Sequence, residues 1–563
     1  MTNLDYFIIL LFTLLVVAVG VSFSKSGKNM KSFFAAGGAV PWEISGLSLF
    51  MSFFSAGTFV VWGSIAYQLG MVSVVIQWMM CIGGLLVGLF IAGAWRKTNV
   101  LTAAEFVRKR LGERAQNFYT YLILIISLAN AGAFLYPVAK LVNVSMGLPI
   151  TTCIILLGIL IMLYTAVGGL WAVMVTDVLQ FVILTAAVII VVPLSLNYVG
   201  GWDGLSSKVP DDFFNLISGE YSEIFLLAFL VYNMIFIGGN WAYVQRYTSV
   251  KTVKAARKVG YLFAGLYVVS PLFWMLPPMF YRAVQGDLSG LENEGAYLLM
   301  CKEVLPAGML GLMLGGMIFA TASSVNTTLN LSAAIFTNDL YKIWKPNASN
   351  KQLMWTARMS TLLFGIGTII VALLVPAVGG IVDVVLTVGA VTGCSLYGPP
   401  IWAIFSKRQT GNSILSITLL SLAVNLFFKF ITPLIFNLSL NRAEEMLLGS
   451  LLPFLLLGIY EIWAIQKGQI STDYLNYQKQ QMLALQKEKV NSFKEVEEER
   501  QNEFGLKVLT MALLVVGVII MALGLMAVNA RILVMVIGAL VVGIPLLMNG
   551  KKLFRKHPSD FPV

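Results

Sequence analysis

Charge is what this sequence has least of. Of its 563 residues only 12% are charged, against 58% hydrophobic, and the mean hydropathy is +0.83. Soluble domains carry roughly 25% charged residues, so the ionisable groups here are too few to cover soluble surfaces. A soluble enzyme, a disordered chain and a collagen-like fibre are thereby excluded. Histidine is nearly absent: His557, in the C-terminal tail, is the only one, which argues against a histidine-based metal site or catalytic triad. The four cysteines (Cys81, Cys153, Cys301, Cys394) form no CxxC pair, and three lie inside apolar runs, so no disulfide scaffold is indicated. What is plentiful, 12% aromatic residues and 50 glycines, suits a helical membrane protein.

Apolar runs of about 18–25 residues recur along the chain, the length needed to cross a ~30 Å hydrocarbon core. About fifteen are readable, near 5–23, 41–66, 71–94, 117–145, 149–166, 172–199, 223–245, 259–281, 305–334, 358–378, 382–405, 413–436, 446–465, 507–529 and 532–549. They are continuously apolar, whereas a membrane β-barrel needs short alternating segments. The expected class is therefore an all-α polytopic bundle.

Lys and Arg set its orientation. With the N-terminus outside, the stretches SKSGKNMK, WRKTNVLTAAEFVRKRLGER, QRYTSVKTVKAARK, Lys342 to Arg358, SKR and the tail NGKKLFRK all face the cytoplasm. Of 38 basic residues, Lys208, Arg282, Lys302, Arg442 and Arg531 fall on the other side, and Lys140 and Lys429 within spans. The net charge of +11 thus reads as an orientation signal at a bilayer, and no nucleic-acid partner is expected. The first span lacks the basic n-region of a cleavable signal. One polar stretch, 467–505, carries a weak apolar stripe of Leu475, Met482, Leu485, Phe493 and Val496. It reads as a solvated helix linking two spans, or alternatively as a partner- or lipid-binding helix.

Polar groups in lipid are costly unless they face the bundle interior or a wet cavity. The run 305–334 places Ser323, Asn326, Thr327 and Asn330 on one helical face, beside Ser324 and Thr328. This is a stripe of neutral oxygens, which serves either as ion ligands or as interhelical hydrogen-bonding glue. Asp177, next to Thr176 in an apolar span, needs a partner or a cation. Glu43, Asp383 and Glu461 lie near span ends and are expected at the interface. Lys140 and Lys429 are expected to snorkel, with solute contact as the alternative for Lys140. Two runs are interrupted: 41–66 by Ser52, Ser55, Gly57 and Thr58, and 223–245 by Asn233, Gly238, Gly239 and Asn240. After the leading span these are the first and sixth helices, the pattern of an inverted-repeat transporter. Two independently glycine-containing spans would give the same pattern.

The stretch Tyr164-Thr165-x-x-Gly168-Gly169-Leu170-x-Ala172-Val173-x-x-Thr176-Asp177-x-x-Gln180 resembles a pattern of the sodium:solute symporter family, as does Ala320-x-x-Ser323-Ser324 followed by Phe336 to Tyr341. Pro41-Trp42, Thr102-x-x-Glu105-Phe106-x-x-x-Arg110 and Gln245-Arg246 also fit. The resemblance covers roughly 5–440 and implies a leucine-transporter-like bundle of five plus five inverted helices working by alternating access. On it the chain divides into a leading helix and basic loop (1–35), a first repeat (36–200), a second repeat (201–410), further helices (411–466), the charged loop (467–505) and two C-terminal helices with a basic tail (506–563).

The same resemblance implies Na+ as the coupling ion. Its main site would use the carbonyls of Met51, Phe54 and Ala320 with the hydroxyls of Ser323 and Ser324. A second ion would use Asp177, Ser323, Asn326 and Thr327, although family members with that site have serines where Asn326 and Thr327 stand. The solute contacts would be Ser55, Thr58, Gln77, Asn233, Phe236 and Tyr267. In family members that carry sialic acid, an arginine for the solute carboxylate aligns near Asn130. The implied function is sodium-coupled uptake of a small polar organic solute, a sugar or a sugar acid or other carboxylate, across the cell membrane. Proton coupling through Asp177, a channel and a transporter-like sensor are the alternatives. An enzyme would need a convergent His, Cys or carboxylate cluster that the sequence lacks, and the sequence leaves the oligomeric state open.

Overall fold

The computed structural model describes residues 1–22, 40–100, 102–165, 170–341, 344–488, 494–527 and 530–553. For some helical residues, Ser323, Asn326, Thr327 and Asn330 among them, it describes the backbone alone. Among the described residues there are helices and no strand, with two isolated bridges, Val40 to Val250 and Ser218 to Tyr221. Nine of the described helices are long and apolar enough to cross a membrane, and Glu223–Gly239 with Trp241–Thr248 makes a tenth if the bent pair is one span. Asn3–Val16, Ile150–Met162, Met309–Ala322 and Arg531–Gly543 are shorter apolar stretches.

Helix ends follow local chemistry. Thr102, Ser222 and Thr252 accept from the amide three residues on, and Asn441 with Glu444 forms a capping box. The long helix Glu113–Met146 stops at Gly147, whose φ of 71° fits the left-handed cap that glycine tolerates. Small residues then let spans approach, the usual membrane packing mode. A Cβ on Gly260 would lie 2.6 Å from Gly88 Cα, which brings Val253–Trp274 against the 71–97 span. A Cβ on Gly311 would lie 2.3 Å from the Asp5 carbonyl, so the leading helix Asn3–Ser22 lies directly on Met309–Ile335. Asp5 caps that helix: its Oδ1 accepts from the amides of Gly308 (2.7 Å) and Gly311 (3.1 Å).

The polar helix Thr472–Glu488 is docked through a face that the apolar stripe did not indicate. Arg110 lies over the Tyr474 ring at 5.2 Å, Tyr477 meets Phe106 edge-on at 5.8 Å, and Gln481 Nε2 donates to the Thr98 carbonyl at 3.2 Å. Leu475 and Met482 are exposed instead. Phe493 lies outside the described residues, as do the side chains of Leu485 and Val496. Tyrosines and a glutamine that hydrogen-bond and stack hold this helix better than the stripe does.

Candidate functional site

The first interrupted span leaves the helix after Trp42–Met51 and resumes in a π-turn, Thr58–Trp62, followed by Gly63–Leu69. Short hydroxyl side chains that compete for backbone groups open it. Ser52 Oγ donates to the Ser48 carbonyl (3.0 Å), and Thr58 Oγ1 donates to the Phe53 carbonyl while accepting from the Ser55 amide. The Ala56 amide donates to Thr321 Oγ1 at 3.0 Å, pinning the break to Met309–Ile335. Backbone bonds through the break end on the carbonyls of Ser48, Leu49, Phe50 and Ser55; those of Met51 and Phe54 accept none of these. Met51, Phe54 and Ala320 are buried, and Ser324 Oγ donates to the Ala320 carbonyl at 3.4 Å. Met51, Ser52, Ser324 and Asp177 line one chamber. The side chains of Ser323, Asn326 and Thr327 lie outside the described ones.

Asp177 has its partner. Its Oδ2 accepts from Ser48 Oγ at 2.6 Å, and Ser48 Oγ accepts from Arg246 Nε at 3.3 Å. Arg246 Nη1 donates to the Ala242 carbonyl at 2.9 Å. Asp177 is 3% exposed and Arg246 1%, so the charges balance inside the bundle through one hydroxyl. Charge-assisted bonds of this kind are the strong ones. By sequence Arg246 sorts with the basic loop. The signal that it is buried was its place six residues past the Asn240 break, in the second half of the broken span.

The second interrupted span bends by 60° at Asn240. Asn240 Oδ1 accepts from the Ala242 amide (3.0 Å), and the carbonyls freed by the bend are taken up: Ile237 by Tyr247 OH at 3.1 Å and Gly238 by Trp95 Nε1 at 2.7 Å. Above this bend lies a second chamber, enclosing about 1040 Å³ that is partly continuous with solvent. Ser55, Thr58, Asn233 and Phe236 line it. Gln77 and Tyr267 are elsewhere. Gln77 is fully buried, with Nε2 donating to the Ser73 carbonyl, and Tyr267 packs between Phe50 (5.3 Å) and Phe263 (4.7 Å). The two chambers share Ser52, Asn130, Phe134, Phe236, Tyr243 and Tyr397 as their dividing wall.

Outside the lining of the second chamber, Glu294 joins two of the helices that contribute to it. It accepts from Tyr136 OH (3.0 Å) and the Ile381 amide (3.1 Å), with Lys140 Nζ at 4.0 Å. Burial pushes the Glu294 carboxyl above the ordinary range, opposed by the Ile381 amide, Lys140 and Tyr136. Lys140 therefore faces a carboxylate, and Lys429 likewise meets Glu445 at 2.8 Å. Of the carboxylates expected at the interface, Asp383 pairs with Arg442 at 2.7 Å and Glu461 accepts from Ser406 Oγ at 2.7 Å. No group of three or more His, Cys, Asp or Glu poised to hold a metal occurs among the described residues.

A broken span pinned to a hydroxyl-bearing helix, over a chamber bounded by a second broken span, is transporter architecture. The model of the sodium:solute symporter family matches residues 33–420, well over half the chain. The chain belongs to the sodium:solute symporter family. It is similar to the sodium/glucose cotransporter of Vibrio parahaemolyticus (26% identical over 468 residues, 76% of this chain and 85% of that one). It is also similar to the sodium/sialic acid symporter SiaT of Proteus mirabilis (25% over 439 residues, 75% and 88%). Among solved structures, a Na+-coupled sialic acid symporter in a substrate-bound outward-open state superimposes with TM-score 0.70 (22% identity, 84% of this chain and 99% of that one). A nucleobase-cation-symport-1 family transporter, in a closed conformation, follows at 0.54 (14%, 80% and 99%). The leucine-transporter-like helical bundle expected from the sequence is thus the fold observed, and this symporter is a multi-pass membrane transporter that couples solute movement to Na+.

Proposed function

We propose that this symporter binds Na+ where the first broken span meets Met309–Ile335, and a small polar organic solute in the Asn233 chamber, and carries both into the cell. The observation that carries this reading is that Met51 and Ser324 line one chamber together, beside a break pinned by Thr321. Five neutral oxygens, from Met51, Phe54, Ala320, Ser323 and Ser324, suit a hard monovalent ion that must also be released. Sodium binding would order the break against its partner helix, and rocking of the two repeats, 36–200 and 201–410, would then expose the site inward. Asp177, with Asn326 and Thr327, is the place for a second ion. About fifteen bilayer crossings, an outer N-terminus and a cytoplasmic C-terminus complete the reading, with the basic loops at the inner face of the cell membrane.

Each ion moving down ~100 mV contributes about 2.3 kcal/mol. At ~1.4 kcal/mol per tenfold, one ion supports roughly 50-fold accumulation before its own gradient is counted. Uptake into proteoliposomes, over sugars, sugar acids, amino acids and carboxylates, with and without an inward sodium gradient, tests the proposal. Sodium-stimulated accumulation of at least one solute is expected. Accumulation driven by a proton gradient in the absence of sodium would overturn it.

A further inference from the structure

We infer that the solute is uncharged, combines hydroxyl-like groups with a flat apolar face, and that carboxylates are rejected because the chamber wall holds no charge to meet them. The inference rests on the symport reading above and narrows the solute of that same site.

The first observation is the absence of ions. No Asp, Glu, Lys, Arg or His occurs among the described residues lining the Asn233 chamber. A full charge of either sign would be desolvated there without a counter-charge, which costs far more than burying a hydrogen-bonded neutral group. The buried ions Asp177 and Arg246 line the other chamber and already share Ser48, and Glu294 and Lys140 lie outside the lining and face each other. Nor would the coupling ion neutralise a solute carboxylate. Met51 and Ser324, two of the proposed sodium ligands, line the Asp177 chamber and not the Asn233 one.

The second observation concerns which ends of the neutral polar groups remain free. The Ser52 hydroxyl donates to the Ser48 carbonyl, Thr58 to Phe53 and Thr392 to Val388, and one Asn233 N–H goes to Phe229. With these protons committed to backbone, the oxygens present lone pairs to the chamber. Ser52, Thr58 and Thr392 thus accept from a solute, while the Ser55 and tyrosine hydroxyls and the Asn130 and remaining Asn233 N–H groups of the same lining donate. The wall therefore suits neutral groups that do both, such as hydroxyls. The third observation is the run of aromatic rings on the helix that also carries Asn233. Phe229, Tyr232 and Phe236 follow one another on Glu223–Gly239 with ring centroids 5.7 and 5.4 Å apart, and Trp62 meets Phe229 at 5.9 Å. Aromatic faces carry negative quadrupole potential, which welcomes an apolar C–H or ring face and disfavours an anion.

The test is uptake into proteoliposomes of the full-length symporter with matched pairs that differ in charge: glucose and glucuronate, galactose and galacturonate, phenyl β-glucoside and phenyl β-glucuronide, with choline as the cation. Each is offered in NaCl and in KCl. Uncharged members are expected to be taken up, each at least ~10-fold better than its acid partner, as the loss of one well-made polar contact already implies. Their sodium-dependent transport should carry net positive charge inward on solid-supported membranes. Uptake of an acid equal to or better than its neutral partner, uptake of choline above the sugars, or electroneutral sodium-coupled uptake would overturn the inference. Uptake of the neutral members that is equal in NaCl and KCl would instead defeat the sodium reading while leaving the charge rule standing.

Discussion

The two broken spans look alike in sequence and differ in what they do with their freed backbone. At the bend after Gly239 the protein closes the account itself: Trp95 and Tyr247 take the Gly238 and Ile237 carbonyls, and Asn240 caps the helix that follows. At the break after Met51 a neighbouring helix holds the amide side, through Thr321, while the turn bonds bypass the carbonyls of Met51 and Phe54. A break satisfied by side chains is a fixed bend that shapes a cavity. A break whose turn bonds pass over the carbonyls of Met51 and Phe54 is where we propose that a cation binds. Buried carbonyls must find a partner, and at the first break the partner we propose is the transported ion.

Variants can break or sharpen this contrast. The largest effect is expected from Arg246→Leu, which leaves the Asp177 carboxylate and Ser48 without the buried guanidinium. Removing one member of a buried ion pair costs about 3–5 kcal/mol, so the melting temperature of the purified protein should fall steeply and sodium-driven uptake should vanish. Retention of both would mean that the network does not anchor the first break. Thr321→Val comes next. It strands the buried Ala56 amide at a cost of about 1–3 kcal/mol, and the half-saturating sodium concentration for uptake should rise about ten-fold. Trp95→Phe is expected to be smaller and different in kind. It removes the donor to the Gly238 carbonyl, about 1 kcal/mol, lowering the melting temperature while leaving half-saturating sodium within two-fold (~0.4 kcal/mol) of wild type. A sodium shift in Trp95→Phe as large as in Thr321→Val would erase the distinction between the two breaks.

Much of the fold was legible because a bilayer demands long apolar runs and lets polar groups sit only where something meets them. The breaks were legible from Ser52, Ser55, Gly57 and Asn240, whose short side chains or missing Cβ weaken a helix. Asp177 stood out for the same reason. Its partners did not, since Ser48 lies 129 residues away in sequence and is one serine among many. Arg246 was hidden by the basic loop it adjoins. Lys140 and Lys429 read as snorkelling side chains, yet each meets a glutamate, because a cation near a carboxylate need not climb to the headgroups. Asp5 caps another helix, 303 residues away in sequence, which nothing in its own segment signals. The chamber drew together Ser55, Thr58, Asn233 and Phe236, whereas Gln77 and Tyr267 sit in the packing between spans. Residue type at a position does not say which way a helix is rotated.

The central claim, that the first break binds the coupling ion against Met309–Ile335, rests most directly on Ser324. Uptake by wild type and Ser324→Ala, measured as a function of external sodium in proteoliposomes under a fixed membrane potential, isolates it. Losing one oxygen ligand of about 1.5–3 kcal/mol should raise half-saturating sodium by roughly ten- to a hundred-fold, with the protein's melting temperature in sodium-free buffer unchanged. A sodium titration of Ser324→Ala that overlays that of wild type would contradict the account.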